Sequence, residues 1–223
     1  MKFKNFRDFK IIRTCNKSYK TYESYRSYLK NDFSNRCAYC NLHENQITTS
    51  FEIDHFIPRD IFKVIRPDLE TDYKNLVFSC KKCNDAKSNK FAGDINSADP
   101  QNSQFYDPVL INYNDIFFRT EIGAIDSNDE KGRQMIVDLQ LYRPIHNLAW
   151  ICEESSKVLD KINAKILEES NTQKKIILGQ AKERISDYYI VCKNIFISNY
   201  NNKKFDLKAY VEPSLVFEAD KLT

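Results

Sequence analysis

Four cysteines fall into two pairs, Cys37-x-x-Cys40 and Cys80-x-x-Cys83, with 39 residues between them. Thiolates bind zinc tetrahedrally, and a two-residue spacer lets both sulfurs of one turn face a single ion. The repeated spacing predicts a structural zinc site, since four buried or redox-active thiols would have no need to share it. Between the pairs stands Asp54-His55, and Asn84 follows directly after Cys83. A carboxylate and an amide oxygen are hard ligands that suit Mg²⁺ or Mn²⁺ with several waters retained. A neutral His55 beside such an ion can take a proton from water, because the unperturbed imidazole titrates near neutrality. That water can attack phosphorus in line while the ion neutralises charge on the nonbridging and leaving oxygens.

These residues need elements to position them. FEIDH reads as a short strand, with Phe51 and Ile53 alternating with Glu52 and Asp54, and Pro58 ends it. Glu52, beside Asp54, is expected to face the opposite side. NLVFSC is a second, apolar strand, CNDAKSNK reads as a helix start, and Gly93 closes the unit. A hairpin packed on that helix would bring Asp54 and Asn84 together. Residues 59–74 form a polar connector with one helical turn, DIFKVI, stopped by Pro67. Upstream, residues 1–13 make a strand or an arm. Residues 18–33 place Tyr22, Tyr25, Tyr28 and Leu29 on one row of a helix, with Ser18 or Thr21 near its cap. Tyr interleaved with Lys and Arg suits nucleic acid, although an apolar stripe at this period is more often a packing face.

Residues 93–108, rich in Asp, Asn, Ser and Pro, read as a loop. VLINYNDIFFRTEIGAI reads as a strand pair centred on Ile116, Phe117 and Phe118. A short helix then carries Met135, Ile136, Leu139 and Leu141. A long amphipathic helix lies within residues 145–170. Another, capped by Thr172, carries Ile176, Ile177, Ile185, Tyr188, Tyr189 and Ile190 as its stripe to about Ile197, and a polar tail, SNYNNKKFD, follows. The expected fold is α+β: a zinc-stapled ββα core over 36–92, a basic arm and helix over 1–35, an acidic loop and strand pair over 93–130, and a mainly helical region over 131–223.

At 223 residues, 42% hydrophobic and 29% charged, the chain can bury a real core. Net charge is only +3, so composition alone does not announce a nucleic-acid binder. Its distribution says more. Residues 1–35 carry nine Lys/Arg against three Asp/Glu, residues 91–130 one against eight, and residues 172–208 eight against three. Segregation of this kind suits a phosphate-binding face beside a repelling one, while any single charge run is usually a solvated surface. The first residues lack the apolar segment of a signal peptide, and no apolar run is long enough to span a bilayer. A reducing, cytoplasmic location is expected, where paired Cys mean metal rather than disulfide. His43 reads as a loop residue or a substitute zinc ligand, His146 as a cap or surface residue, and Cys15, Cys152 and Cys192 as buried positions.

The order Cys37-x-x-Cys40, Asp54-His55 with Pro58, Asn75-Leu76, Cys80-x-x-Cys83-Asn84 and Lys87 resembles the HNH, or ββα-metal, endonuclease family. The resemblance implies that Asp54 is the first ligand of a catalytic Mg²⁺ or Mn²⁺, and His55 the general base. It makes Asn75 the residue that holds the His-bearing loop, Asn84 the second ligand, and Lys87 a candidate phosphate contact. The last ligand position is often His in that family, so Asn84 shifts the expectation from transition metals towards Mg²⁺. The flanking order, with DPVL and GRQMIVDLQLYR before the helices, resembles HNH subunits of Septu-type and retron-associated anti-phage systems, which work with an ATPase. That implies DNA as substrate, an ATPase partner docked on the C-terminal helices, and an acidic middle bounding the DNA cleft. The other readings are a non-catalytic zinc module binding nucleic acid or protein, which would not need Asp54, His55 and Asn84 together, and a nuclease acting on RNA. Cys80→Ser is expected to unfold the module, and His55→Ala to leave thermal stability nearly unchanged.

Overall fold

The computed structural model of the chain describes residues 4–200 and 202. Strands β2 (Glu52–His55) and β3 (Leu76–Ser79) pair antiparallel, with Glu52 opposite Ser79 and His55 opposite Leu76. Every residue of β3 is buried, as its unbroken apolar run requires. Helix α3 (Lys81–Lys87) starts directly after β3. It stops at Ser88, whose φ of 48° is a left-handed conformation. The stop therefore comes five residues before Gly93, the residue expected to close the unit. Gly93 serves a different need: a Cβ there would lie 2.0 Å from the carbonyl oxygen of Gln101, so only glycine lets the two backbone stretches approach.

The connector holds a short helix, α2 (Arg59–Phe62), and Pro67 opens a further 3₁₀ turn, Pro67–Glu70, rather than stopping a helix. Pro fits there because the first helical position needs no N–H. Upstream, a 3₁₀ turn (Tyr22–Tyr25) leads into α1 (Arg26–Asp32). Tyr25 and Leu29 are buried, and Tyr25 stacks on Tyr73 with ring centroids 4.9 Å apart. The Tyr row thus packs inward onto the connector.

A three-stranded antiparallel sheet in the order β1 (Lys4–Asn5), β4 (Phe117–Arg119), β5 (Ile125–Ser127) stands apart from the β2–β3 hairpin. Phe6, Tyr113 and Phe117 fill its base, their centroids 5.0 to 5.9 Å apart. Helix α4 (Glu130–Asp138) follows, capped by the Asp129 carboxylate, which accepts from the Gly132 N–H at 2.7 Å.

The chain divides into two compact units, Met1–Tyr142 and Arg143–Thr223. The second unit pairs two long helices, α5 (Pro144–Glu168) and α6 (Thr172–Tyr200). The mixed α+β class with a mainly helical C-terminal part is as expected. The cap of α6 is Asn171, whose Oδ1 accepts from the Lys174 N–H at 3.0 Å, one residue before the Thr172 proposed for it. The buried row of α6 is Cys192, Phe196, Asn199 and Tyr200, whereas Ile176, Ile177, Tyr188 and Ile190 are exposed. The expected stripe mixed residues from different sides of the helix. His146 is buried rather than at the surface. No described helix is long and apolar enough to cross a membrane. Phe3 of the basic arm and the tail beyond residue 202 lie outside the described residues.

Candidate active site and zinc site

The Sγ atoms of Cys37, Cys40, Cys80 and Cys83 all lie within 4.8 Å of one another, and all four residues are buried. Cys40 Sγ and Cys80 Sγ are 3.8 Å apart. A tetrahedral ion with bonds of about 2.3 Å requires sulfur separations of roughly 3.8 Å, so the donor set fits zinc. At Cys37 burial opposes ionisation, but hydrogen bonds from Cys40, Cys80 and Cys83 outweigh it and bring the thiol well below its usual range. His43 stands aside from the cluster, its Nδ1 accepting from the Asn45 N–H at 3.1 Å as a loop cap.

Three elements fasten the first cysteine turn. The Ala38 N–H donates to Phe78 O of β3 at 2.8 Å. Arg7 Nη2 donates to Ala38 O at 2.8 Å, and Arg119 Nη2 to Cys40 O at 2.9 Å. Both guanidiniums are buried. Burial lowers the Arg7 pKa to about 10, while Tyr113, Cys37 and Cys40 act to raise it. These cations lie where Zn²⁺ and four thiolates would leave net negative charge.

Asp54 and His55 end β2, both buried. Asp54 Oδ2 accepts from the Tyr39 hydroxyl at 2.6 Å, and Oδ1 from Lys87 Nζ at 2.9 Å. Burial, together with the charge of Asp54, holds the Tyr39 phenol well above its usual range, so it stays a donor. Lys87 Nζ also donates to His55 O at 2.8 Å, and its side chain is 1% exposed. The ammonium expected to meet a phosphate is thus enclosed against Asp54 and the strand end.

The His55 ring lies between Tyr22 and Phe62, with centroids 5.0 and 5.4 Å away. Its Nε2 is 3.0 Å from Glu70 O. A carbonyl can only accept, so Nε2 carries the hydrogen and the lone pair of the neutral ring sits on Nδ1. His55 is only 9% exposed and packs against both rings, so its removal would cost contacts that the sequence did not reveal. Asn75, also buried, accepts the Ile57 N–H at 2.8 Å and donates to Ile57 O at 3.3 Å and Leu69 O at 3.1 Å. One amide thereby ties the backbone just past His55 to the backbone just before its acceptor, Glu70.

Asn84 sits on the first turn of α3, and its Nδ2 donates to Glu52 Oε2 at 2.7 Å. No hydrogen bond joins Asn84 to Asp54 among the described residues; each instead reaches the β2–α3 face through its own partner. Glu52 and Asp54, two residues apart, both face α3, through Asn84 and Lys87 respectively. Glu52 therefore shares the side of Asp54, contrary to expectation, because a strand repeats its facing every second residue. Spacing alone missed Glu52, Tyr39 and Glu70. The strand period was the available signal for Glu52, whereas Tyr39 and Glu70 meet the site only through the folding of their loops.

Residues 37–90 match the family model described as HNH endonuclease. A Septu protein PtuB from Bacillus thuringiensis is 35% identical over 54 residues, covering 24% of this chain and 20% of that protein. The match thus spans about a fifth of that relative's length. No solved structure matches the chain. The resemblance read from the motif order is borne out over the zinc-site hairpin and helix.

Proposed function

We propose that the chain is a metal-dependent HNH endonuclease that hydrolyses DNA phosphodiester bonds, and that it acts in anti-phage defence with an ATPase partner. The observation that carries the catalytic reading is His55 held by Glu70 O so that Nδ1 is the proton-accepting nitrogen, at the end of a strand that also presents Asp54. His55 Nδ1 takes a proton from water, whose oxygen bonds to phosphorus as the P–O bond to the leaving group breaks. Asn75 keeps the ring in place by tying Ile57 to Leu69. Asp54 and Asn84 Oδ1 would hold a Mg²⁺ or Mn²⁺, whose hard-oxygen preference fits them. When bound, such an ion supplies charge neutralisation at the phosphate oxygens. Asp54 oxygens each have a further lone pair beyond the Tyr39 and Lys87 bonds, and Asn84 Oδ1 accepts no hydrogen bond from the described residues. The defence role and the ATPase partner rest on the resemblance of the flanking motif order to Septu-type subunits, and the similarity to a Septu protein PtuB supports that placement.

A second reading, a non-catalytic zinc module, draws on Lys87: an ammonium on Asp54 competes with a divalent ion for the same oxygen. Plasmid cleavage with Mg²⁺ or Mn²⁺, comparing wild type with folded His55→Ala, separates the two. Cleavage by wild type alone supports the nuclease. Equal cleavage removes His55 as base, and none by wild type with its partner present favours the module.

A further inference from the structure

Glu52 is half-exposed on β2, with 36% of its side chain accessible. Among the described residues its polar neighbours are Lys81 Nζ, 3.7 Å from Oε1, and Asn84 Nδ2, 2.7 Å from Oε2. The second contact has a directional consequence. An asparagine amide has two chemically opposite ends, and either can turn towards a neighbour. A carboxylate can only accept, so the Glu52 oxygen selects the amide nitrogen and sends Asn84 Oδ1 the other way. That oxygen accepts no hydrogen bond from the described residues, and it is the only atom of the side chain able to bind a cation. We infer that Glu52 is a positioning residue that fixes the Asn84 amide so that Oδ1, not Nδ2, is presented to a divalent ion. This rests on the reading of Asp54 and Asn84 as the ion's ligands. Glutamine at position 52 would remove the selection, because its own amide can donate to Asn84 Oδ1 as readily as accept from Nδ2.

The test is Mn²⁺ affinity of the zinc-loaded full chain, read from the electron paramagnetic resonance signal of free Mn²⁺. Removing a partner that orients a metal ligand typically weakens binding by about 10- to 100-fold. Glu52→Gln is expected to weaken Mn²⁺ binding about tenfold or more while leaving zinc content and melting temperature near wild type. In the Asn84→Ala background the same change should have no further effect, since Glu52 acts through that amide. An unchanged affinity in Glu52→Gln, or an equal loss in both backgrounds, overturns the inference, the latter marking Glu52 as a direct ligand or a bulk charge. Asp54→Asn is the separate control. If it leaves Mn²⁺ binding intact, the ion site itself is misplaced, and the inference falls with it.

Discussion

His55→Ala removes more than a base. The ring is 9% exposed and makes an edge contact with Tyr22 and a tilted contact with Phe62 as well as the hydrogen bond to Glu70 O. Each aromatic pair is worth roughly 0.5–1.5 kcal/mol beyond buried area. The hydrogen bond adds about 1 kcal/mol, and Glu70 O is left without its imidazole donor. The sum is about 3 kcal/mol. For a chain of this size that lowers the melting temperature by roughly 6–12 °C. Calorimetry of zinc-loaded wild type and variant reads the shift directly. A melting temperature within about 2 °C of wild type would show that the Tyr22 and Phe62 contacts contribute nothing, and that the ring is held for chemistry alone. The practical corollary is that cleavage by this variant must be assayed well below its own transition, where lost activity reflects the missing base.

Asn75→Ala deletes three buried hydrogen bonds at once and should cost about 3 kcal/mol in urea denaturation, with cleavage falling because the His55 frame loosens. Lys87→Met leaves the buried Asp54 carboxylate without its cation and should destabilise by about 3 kcal/mol; unchanged stability with weakened DNA binding would mark Lys87 as a phosphate contact. Cys80→Ser should abolish stoichiometric zinc in elemental analysis and unfold the hairpin, since metal binding and folding are coupled. Burial raises the Asp107 carboxyl above its ordinary value, against the pull of Val109 N–H and Arg13. The folded state then holds its proton to higher pH than the unfolded chain, so stability falls as pH rises through that window. Asp107→Asn should therefore raise the melting temperature at pH 7, with the gain vanishing below the ordinary carboxylate range; an equal gain at all pH values would refute the charge argument.

The zinc site was legible because ligand spacing is a local property: Cys37, Cys40, Cys80 and Cys83 needed only a turn and a return strand to meet. Both hairpin strands followed from alternation and an apolar run, whereas the helix starts at Lys81, two residues before the Cys83 expected to open it. The partners of the site residues followed from neither signal. Lys87 and Tyr39 converge on Asp54 from α3 and from the cysteine turn, a meeting that depends on how the hairpin packs. The end of α3 at Ser88 was hidden because a serine in a left-handed conformation carries no compositional mark, unlike glycine. In α6 the abundance of isoleucine on several sides blurred the row that Cys192 and Phe196 define.

The arginines on the first cysteine turn bear on how far the 37–90 segment can stand alone. Arg7 reaches it from before the segment and Arg119 from after, each donating to a carbonyl between or on the paired ligands. Asp32, also upstream, accepts from the Tyr73 hydroxyl and from Thr14. An excised 37–90 peptide would keep every thiolate yet lose the donors that hold Ala38 O and Cys40 O. The unit of inheritance for this site is thus wider than the stretch by which it is recognised. A transplant into another protein would have to carry the arm, β4 and their two guanidiniums along with the cysteines.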